Sequence, residues 1–273
     1  MIGYRPATAE DFIFVGLPIR RDMLDTAIKH VQGLGRGSRA KLLDAGVRTW
    51  DDILSWKGEP PIGLATWQHL LEWTDEAVRR YDARDWVWLG RELPMSEHWR
   101  VWPELADEAL FLDIETTGLS RSAEVSVVGT WDGKGEPHVF VAGQDLDDFV
   151  DVVGSKTLLV TFYGSGFDVP FLRDRYPDAR FPPFHIDLCF LLRRLGLGGG
   201  LKSIEHQLGV QRSDETDGLS GRDAVRLWYA HKKGDPHALD TLVKYNIEDL
   251  RNLLPLLEHG VRELGAQERR LTS

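Results

Sequence analysis

The chain has little cysteine, no long apolar run and no excess of basic residues. Its single cysteine, Cys189, excludes an intramolecular disulfide framework and cannot by itself form a zinc site. No apolar stretch approaches the roughly 18 residues that a membrane-spanning helix requires. Residues 1–10 have no basic flank followed by an apolar core, so they predict no secretory signal. These absences favour a cytoplasmic protein without a membrane partner.

The net charge of −10 argues mildly against a polyanionic partner, because phosphate binding normally draws on a basic surface. Carboxylates of an active site contribute to that total, however, and a local basic strip can still follow a phosphate backbone. The 273 residues, of which 42% are hydrophobic, suffice for one large domain or two smaller ones with an ample core. Charge therefore leaves nucleic acid open as a partner.

Two parts of the sequence differ in composition and pattern. Eight of the ten tryptophans precede residue 103; we interpret them as core packing, with nucleic-acid stacking as the alternative. Helical patterns dominate this part, whereas predicted strands alternate with helices from Ala109 onward, which is typical of a mixed sheet with helices on both faces. We therefore predict a helical domain over residues 1–83 and an α/β domain over residues 84–273.

The patterns also predict individual elements. In the first part, helices are expected at residues 23–31, 38–45, 49–55 and 64–81. In the second, strands are expected at residues 109–114, 125–132, 138–142 and 157–162, and helices at residues 145–153, from about 169, and at 188–195, 202–208, 221–231 and 237–263.

Two carboxylates stand one position apart at the end of the first predicted strand. Asp113 and Glu115 would point to the same face, because side chains alternate along a strand. Like charges at that spacing repel unless a cation lies between them. Gly118, just beyond, allows a sharp turn and a close approach to a ligand. The segment predicts a divalent-metal site; the alternative is a strand that ends in solvated acids.

Two further acidic positions add to this pair. Asp168 follows a predicted buried strand and begins a helix, where it is either a ligand or a favourable charge at the helix start. Tyr245 and Asp249 are four residues apart on the last predicted helix and therefore share one face. Glu248 is expected to point elsewhere, into solvent.

The motifs Asp113-x-Glu115, Phe167-Asp168 and Tyr245-x-x-x-Asp249, in this order, resemble those of the DEDD exonuclease superfamily, which has an RNase H-like fold. The tyrosine four residues before the last aspartate resembles the tyrosine subclass; the other subclass has a histidine where this chain has Lys244. The segments 201–205 and 208–209 are similar to the family's segment before its final helix. The chain most closely resembles the YprB-like branch, including the lead-in at residues 93–100. The resemblance covers roughly residues 84–262.

The second motif departs from the family in one respect. The family usually has an asparagine shortly before its Phe-Asp pair, where this chain has Tyr163-Gly164-Ser165-Gly166. That asparagine supports the site rather than binding metal, so the departure bears on rate and substrate preference. We interpret His185 and Asp187, in the same region, as a structural hydrogen-bonded pair, with a metal-binding role as the alternative.

The resemblance implies a metal-dependent enzyme that hydrolyses phosphodiester bonds of DNA or RNA from a 3′ end, using two divalent ions, Mg²⁺ or Mn²⁺. Its alternatives are a non-catalytic nucleic-acid-binding protein with a degenerate nuclease core and a structure-specific endonuclease on the same fold. The resemblance also implies the following roles. Asp113 would bridge both ions, Glu115 and Asp249 would bind the ion beside the nucleophile, and Asp168 would support the second ion. Tyr245 would position the attacking water and help to deprotonate it. Thr116, Thr117 and Leu119 would meet the terminal nucleotide.

Residues 31–43 resemble a helix-hairpin-helix motif, with Gly33 and Gly35 in its turn. Glycines at such a helix start allow backbone N–H groups to face a phosphate. Arg36, Arg39 and Lys41 supply basic charge, so we predict sequence-independent contact with nucleic acid here. Similar hairpins also serve as protein contacts or as packing devices, which are the alternatives.

Overall fold

The computed structural model describes residues 23–28, 31, 34–120 and 122–272. One compact unit comprises residues 105–260, and a second comprises the described residues up to 104 together with residues 261–272. The division into a helical domain at residues 1–83 and an α/β domain at residues 84–273 stays a prediction. No helix among the described residues combines the length and apolar character needed to cross a membrane.

Helices account for the secondary structure described before residue 105. They are a 3₁₀ turn at Leu24–Thr26, α1 (Arg36–Asp44), α2 (Trp50–Leu54), α3 (Leu64–Asp82), α4 (Trp86–Glu92), a 3₁₀ helix at Met95–Val101 and α5 (Trp102–Leu105). A capping box begins α2, since the Thr49 side chain accepts from the Asp52 N–H and the Asp52 carboxylate accepts in return. The helix predicted over residues 23–31 is wrong in extent, because Thr26 donates its hydroxyl back to the Met23 carbonyl and Ala27 leaves the helical region.

The tryptophans of this helical part pack against one another. Trp50 and Trp99 are fully buried. The Trp73 ring lies 5.7 Å from that of Trp50 and 6.3 Å from that of Trp88, measured between centroids. Aromatic rings at these separations contribute packing energy in a core. Trp67 and Trp86 are also buried, whereas the other four are partly buried, so the interpretation as core residues is confirmed for Trp50, Trp67, Trp86 and Trp99.

The unit of residues 105–260 is built on a mixed sheet. Its strands are β1 (Ala109–Thr116), β2 (Val125–Trp131), β3 (His138–Val141), β4 (Leu158–Thr161) and β5 (Phe184–Asp187), which lie in the order β3-β2-β1-β4-β5. The pairs β1–β2 and β2–β3 are antiparallel, whereas β1–β4 and β4–β5 are parallel. The predicted mixed sheet is confirmed, with β1 at its centre.

Helices cover both faces of this sheet. They are α6 (Phe149–Gly154), α7 (Asp168–Arg175), α8 (Leu188–Arg193), α9 (Leu201–Leu208), α10 (Gly221–Lys232) and α11 (Ala238–Thr272). Leu112 and Ile114 of β1 belong to a core cluster with residues of α6 and α7. Val127 of β2 belongs to a second cluster with residues of α10 and α11. Because side chains alternate along β1, Asp113 points away from the first cluster.

Within the unit of residues 105–260, two elements differ most from the sequence prediction. The strand β5 was not predicted, since its four residues form too short a pattern to stand out between helical segments; its pairing with β4 determines its conformation. The last helix continues to Thr272, nine residues beyond its predicted end. It passes through Pro255 without ending, because tertiary packing can outweigh the loss of one hydrogen bond.

Candidate functional site

Three carboxylates meet where the end of β1 faces α11. Asp113 and Glu115 come from β1 and Asp249 from α11, and each offers an oxygen that lies within 4.8 Å of the other two. Glu115 is 8% exposed and Asp249 is 5% exposed. Strand alternation places the first pair on one face, and the fold adds the third carboxylate to that face. The arrangement is that of a candidate metal centre.

Two uncharged residues, Asn246 of α11 and Gly129 of β2, determine how closely α11 approaches the sheet. Asn246 donates from Nδ2 to Asp113 Oδ2 at 2.8 Å and to the Asp113 carbonyl at 3.3 Å. A Cβ placed at Gly129 of β2 would lie 1.9 Å from Asn246 Oδ1. Glycine is therefore the only residue type at position 129 that leaves room for the Asn246 amide in this arrangement. The pair fixes Asp113 against α11.

Asp168 lies beside the three carboxylates, not among them. Its Oδ1 accepts a hydrogen bond from the Ile114 N–H at 3.2 Å, and the residue is 6% exposed. The β1–β4 pairing ends at Phe111, so this carboxylate partners a backbone N–H beyond the paired region. No side-chain cap is present at the start of α7. Asp168 thus links α7 to the strand that carries Asp113 and Glu115.

Burial and mutual repulsion raise the pKa values of these carboxyl groups. Burial, followed by the charges of neighbouring carboxylates, raises the pKa values of Asp113 and Glu115 well above their usual range. Burial raises the pKa of Asp168 to about 7. Burial also raises the pKa of Asp249 to about 6, although the Arg212 guanidinium opposes the shift. Clustered carboxylate oxygens of this kind fit a hard divalent cation, whose charge would remove the repulsion.

A buried arginine that the sequence analysis missed holds Asp249. Arg212 lies 2.5 Å from Asp249 Oδ1 and makes two hydrogen bonds of 2.6 Å to Glu205. Asn252 donates to the same Glu205 carboxylate at 3.0 Å. Glu248 is outside the carboxylate cluster, as predicted. The prediction that it points into solvent is wrong, since its carboxylate accepts from the Ser213 N–H at 2.6 Å.

Tyr245 is buried next to the carboxylates. Burial and the charges of Asp249, Glu115 and Asp113 raise the pKa of its phenol far above the ordinary value. The Lys202 ammonium lies 4.8 Å from the centroid of its ring. Tyr245 therefore keeps its proton at neutral pH and can donate a hydrogen bond.

A cleft of about 670 Å³ opens beside Glu115. It is lined by residues that include Thr116, Leu119, Phe167 and Arg222. Leu119 is 87% exposed, so its side chain is free to meet a ligand. Thr117 is turned into the β1–β2 connection, where its N–H donates to the Glu124 carbonyl and its hydroxyl accepts from the Glu124 N–H. Of the residues predicted to meet the terminal nucleotide, Thr116 and Leu119 line the cleft.

The predicted nucleic-acid-binding hairpin lies in the other compact unit. Gly35 is the N-cap of α1, and Arg36, Arg39 and Lys41 lie on that helix. Arg36 and Lys41 are exposed, and Arg39 is partly buried. Gly33 falls outside the described residues. The hairpin's contact with nucleic acid stays a prediction.

A family model described as the RNase H superfamily matches residues 110–261, more than half of the chain. The chain belongs to the RNase H superfamily. Among solved structures it is similar to the family B DNA polymerase from the hyperthermophilic archaeon Pyrobaculum calidifontis, with a TM-score of 0.45 and 23% sequence identity. That similarity covers 55% of this chain and 24% of the polymerase, so the chain spans about a quarter of the polymerase's length. No curated protein sequence matches.

Membership of the RNase H superfamily confirms the predicted fold class. The matched segment begins in β1 and ends in α11. It contains all five predicted catalytic positions, which are Asp113, Glu115, Asp168, Tyr245 and Asp249. An RNase H superfamily fold with a clustered set of carboxylates agrees with a metal-dependent nuclease.

Proposed function

We propose that this chain is a divalent-metal-dependent 3′–5′ exonuclease of the DEDD tyrosine subclass, close to its YprB-like branch, that acts on DNA or RNA in the cytoplasm. The observation that carries the proposal is the cluster of Asp113, Glu115 and Asp249 oxygens within 4.8 Å of one another, with Tyr245 beside it. The cleft next to Glu115 gives a terminal nucleotide access to that cluster.

The donor set suits two ions of the Mg²⁺ or Mn²⁺ type, held by Asp113, Glu115 and Asp249 with support from Asp168. When bound, such ions would activate a water for attack and neutralise charge on the phosphate and the leaving oxygen. The raised pKa values of Glu115 and Asp113 favour their protonated forms in the metal-free chain, so metal binding would release protons from them.

The remaining residues position the reactants. Tyr245, which retains its proton, donates a hydrogen bond to the attacking water and so fixes its orientation. Leu119 and Phe167 line the cleft and pack against the terminal base. In the reaction the attacking water loses a proton as its oxygen bonds to phosphorus. The bond from phosphorus to the 3′ oxygen breaks, and that oxygen takes up a proton to become the new 3′ hydroxyl. The products are a nucleoside 5′-monophosphate and a strand shortened by one nucleotide.

The test compares end-labelled single- and double-stranded DNA and RNA in Mg²⁺, Mn²⁺ or EDTA. We expect stepwise shortening from the 3′ end that EDTA abolishes and that Asp113→Asn reduces by on the order of 10³-fold or more. Asp178→Asn, at an exposed aspartate outside the carboxylate cluster, is the matched control because it makes the same chemical change. Pure Asp113→Asn protein with wild-type activity would show that the cluster is not catalytic.

A blocked 3′ end separates the alternatives. An exonuclease leaves such a strand intact, whereas a structure-specific endonuclease still cuts it. Metal-independent binding without any cleavage would identify a non-catalytic binding protein. Either result would overturn the proposed activity.

A further inference from the structure

Two aromatic side chains lie exposed and side by side on the unit of residues 105–260. Tyr163, in the loop after β4, is 48% exposed, and Phe190, on α8, is 40% exposed. Their ring centroids are 6.1 Å apart and their planes differ by 39°. The exposed Arg193 guanidinium lies 5.3 Å from the centroid of the Phe190 ring. Exposed rings next to a cation match the bases and phosphates of a single strand.

Tyr163 occupies this position in an unfavourable backbone conformation. Its φ of 63° lies in the left-handed region, which among the described non-glycine residues it shares with Arg84 alone. Glycine and asparagine adopt this region more readily than an aromatic residue does. The backbone therefore gives no reason for a tyrosine here. A strained residue that presents an exposed ring points to a function of that ring.

One buried carboxylate fixes both segments that carry the rings. Asp187, at the end of β5, is 4% exposed. Its Oδ1 accepts from the N–H groups of Tyr163 and Cys189 at 2.8 and 3.1 Å, and its Oδ2 accepts from the N–H and hydroxyl of Ser165 at 3.0 and 2.6 Å. Cys189 immediately precedes Phe190 in α8. The backbone segments that carry both rings are thus fixed before a ligand arrives, which lowers the entropy lost on binding.

The same loop connects the ring pair to the candidate metal centre. A Cβ at Gly166 would lie 2.7 Å from Cζ of Tyr163, so the absence of a side chain there lets the ring lie over the loop. Asp168 follows Tyr163 by five residues and accepts from Ile114, between the two carboxylates of β1. The loop that carries Tyr163 therefore leads directly to Asp168, the carboxylate that lies beside the candidate metal centre.

We propose that Tyr163 and Phe190 form a stacking platform for the bases of single-stranded nucleic acid, with Arg193 contacting a phosphate of the same strand. The platform deepens the proposed function and rests on it, because it would hold the strand that leads to the 3′ end. Stacking tolerates every base, so the platform binds without reading sequence.

The test measures binding of a fluorescein-labelled oligothymidylate by anisotropy in Ca²⁺, with strand integrity checked on a gel. A strand of equal length that has abasic sugars in place of nucleosides carries the same phosphates without bases. Tyr163→Asn suits the left-handed backbone and removes the ring; Tyr163→Phe retains the ring. Tyr229→Gln, at an exposed tyrosine of α10, is the matched control.

We expect Tyr163→Asn and Phe190→Leu each to weaken oligothymidylate binding by at least about fivefold, as loss of one stacked base implies. Tyr163→Phe and Tyr229→Gln should bind as the wild type does. Binding of the abasic strand should be unchanged in all four variants. Unchanged oligothymidylate binding by Tyr163→Asn, or an equal loss on the abasic strand, would overturn the platform.

Cleavage in Mg²⁺ or Mn²⁺ separates this proposal from the exonuclease proposal. If the wild type shortens strands but Tyr163→Asn binds them normally, the platform is wrong and the activity stands. If binding depends on Tyr163 but no strand is cleaved, the platform stands and the activity is wrong. Unfolding curves of the variants, followed by circular dichroism, confirm that each is folded.

Discussion

Replacing Arg212 by methionine is expected to destabilise the metal-free chain strongly. The Arg212 side chain is 4% exposed and lies between the carboxylates of Glu205 and Asp249, whose side chains are 2% and 8% exposed. Removal of the guanidinium leaves two buried carboxylates without their cation. Breaking a buried ion pair from one side costs about 3–5 kcal/mol. For a chain of this size the melting temperature should fall by about 6–20 °C.

Circular dichroism during heating, without and with Mn²⁺, measures the effect. Arg226→Met is the matched control, because Arg226 pairs with Asp223 at 2.9 Å while its side chain is 78% exposed, and such a pair contributes at most about 1 kcal/mol. The double variant Arg212→Met with Glu205→Gln should recover part of the loss, since one unpaired charge disappears. Saturating Mn²⁺ should recover more, because the ion would neutralise Asp249.

A melting temperature for Arg212→Met as close to wild type as that of the Arg226 control would refute this reasoning. Arg212 would then not be the counter-charge of the buried carboxylates. A large loss that Mn²⁺ fails to reduce would show that Asp249 takes no part in metal binding.

Three further predictions follow from the site and the hairpin. Because the pKa values of Asp168 and Asp249 are raised from 3.8 to about 7 and about 6, the folded metal-free chain binds more protons than the unfolded chain over that range. Its stability, measured in urea titrations, should therefore fall as pH rises from about 4 to 7, and saturating Mg²⁺ should flatten the curve. Stability that rises over this range would contradict the assignment. Tyr245→Phe should lower kcat by roughly 10²-fold with little change in KM, because the ring contacts remain while the hydrogen bond to water is lost; an unchanged kcat in steady-state assays would remove Tyr245 from the mechanism. The double variant Arg36→Glu, Arg39→Glu should weaken nucleic-acid binding and reduce the slope of log K against log salt by about 2 or more. Charge reversal at an exposed arginine on α3 should leave this slope unchanged. If the double variant and the wild type have equal slopes, the hairpin is not part of the interface.

The sequence was sufficient to predict the residues whose positions follow from local periodicity. Asp113 and Glu115 share a face because strands alternate, and Tyr245 and Asp249 share one because helices repeat every 3.6 residues. The mixed sheet followed from the order of strands and helices. Each of these patterns involves residues that are close together along the chain, so it can be recognised in a single sequence.

The contacts between distant segments were not predictable in the same way. Arg212 lies outside the described helices and strands, in a segment with no periodic pattern, and its carboxylate partners come from α9 and α11. Asn246 follows Tyr245 directly, but its role depends on Gly129 in another strand. The strand β5 owes its conformation to pairing with β4. Packing between distant segments determines these three features, and the spacing of residues in the sequence does not indicate which segments will meet.

The glycine in β2 has a consequence for ion selectivity. Gly129 allows Asn246 to approach the strand, and Asn246 in turn binds Asp113, so the gap between the carboxylates of β1 and α11 is set by a residue without a functional group. Mg²⁺ requires oxygens at about 2.1 Å and Ca²⁺ at about 2.4 Å. A methyl group at residue 129 would displace the Asn246 amide and with it the hydrogen bond that holds Asp113, so the selectivity of the centre between these two ions would change.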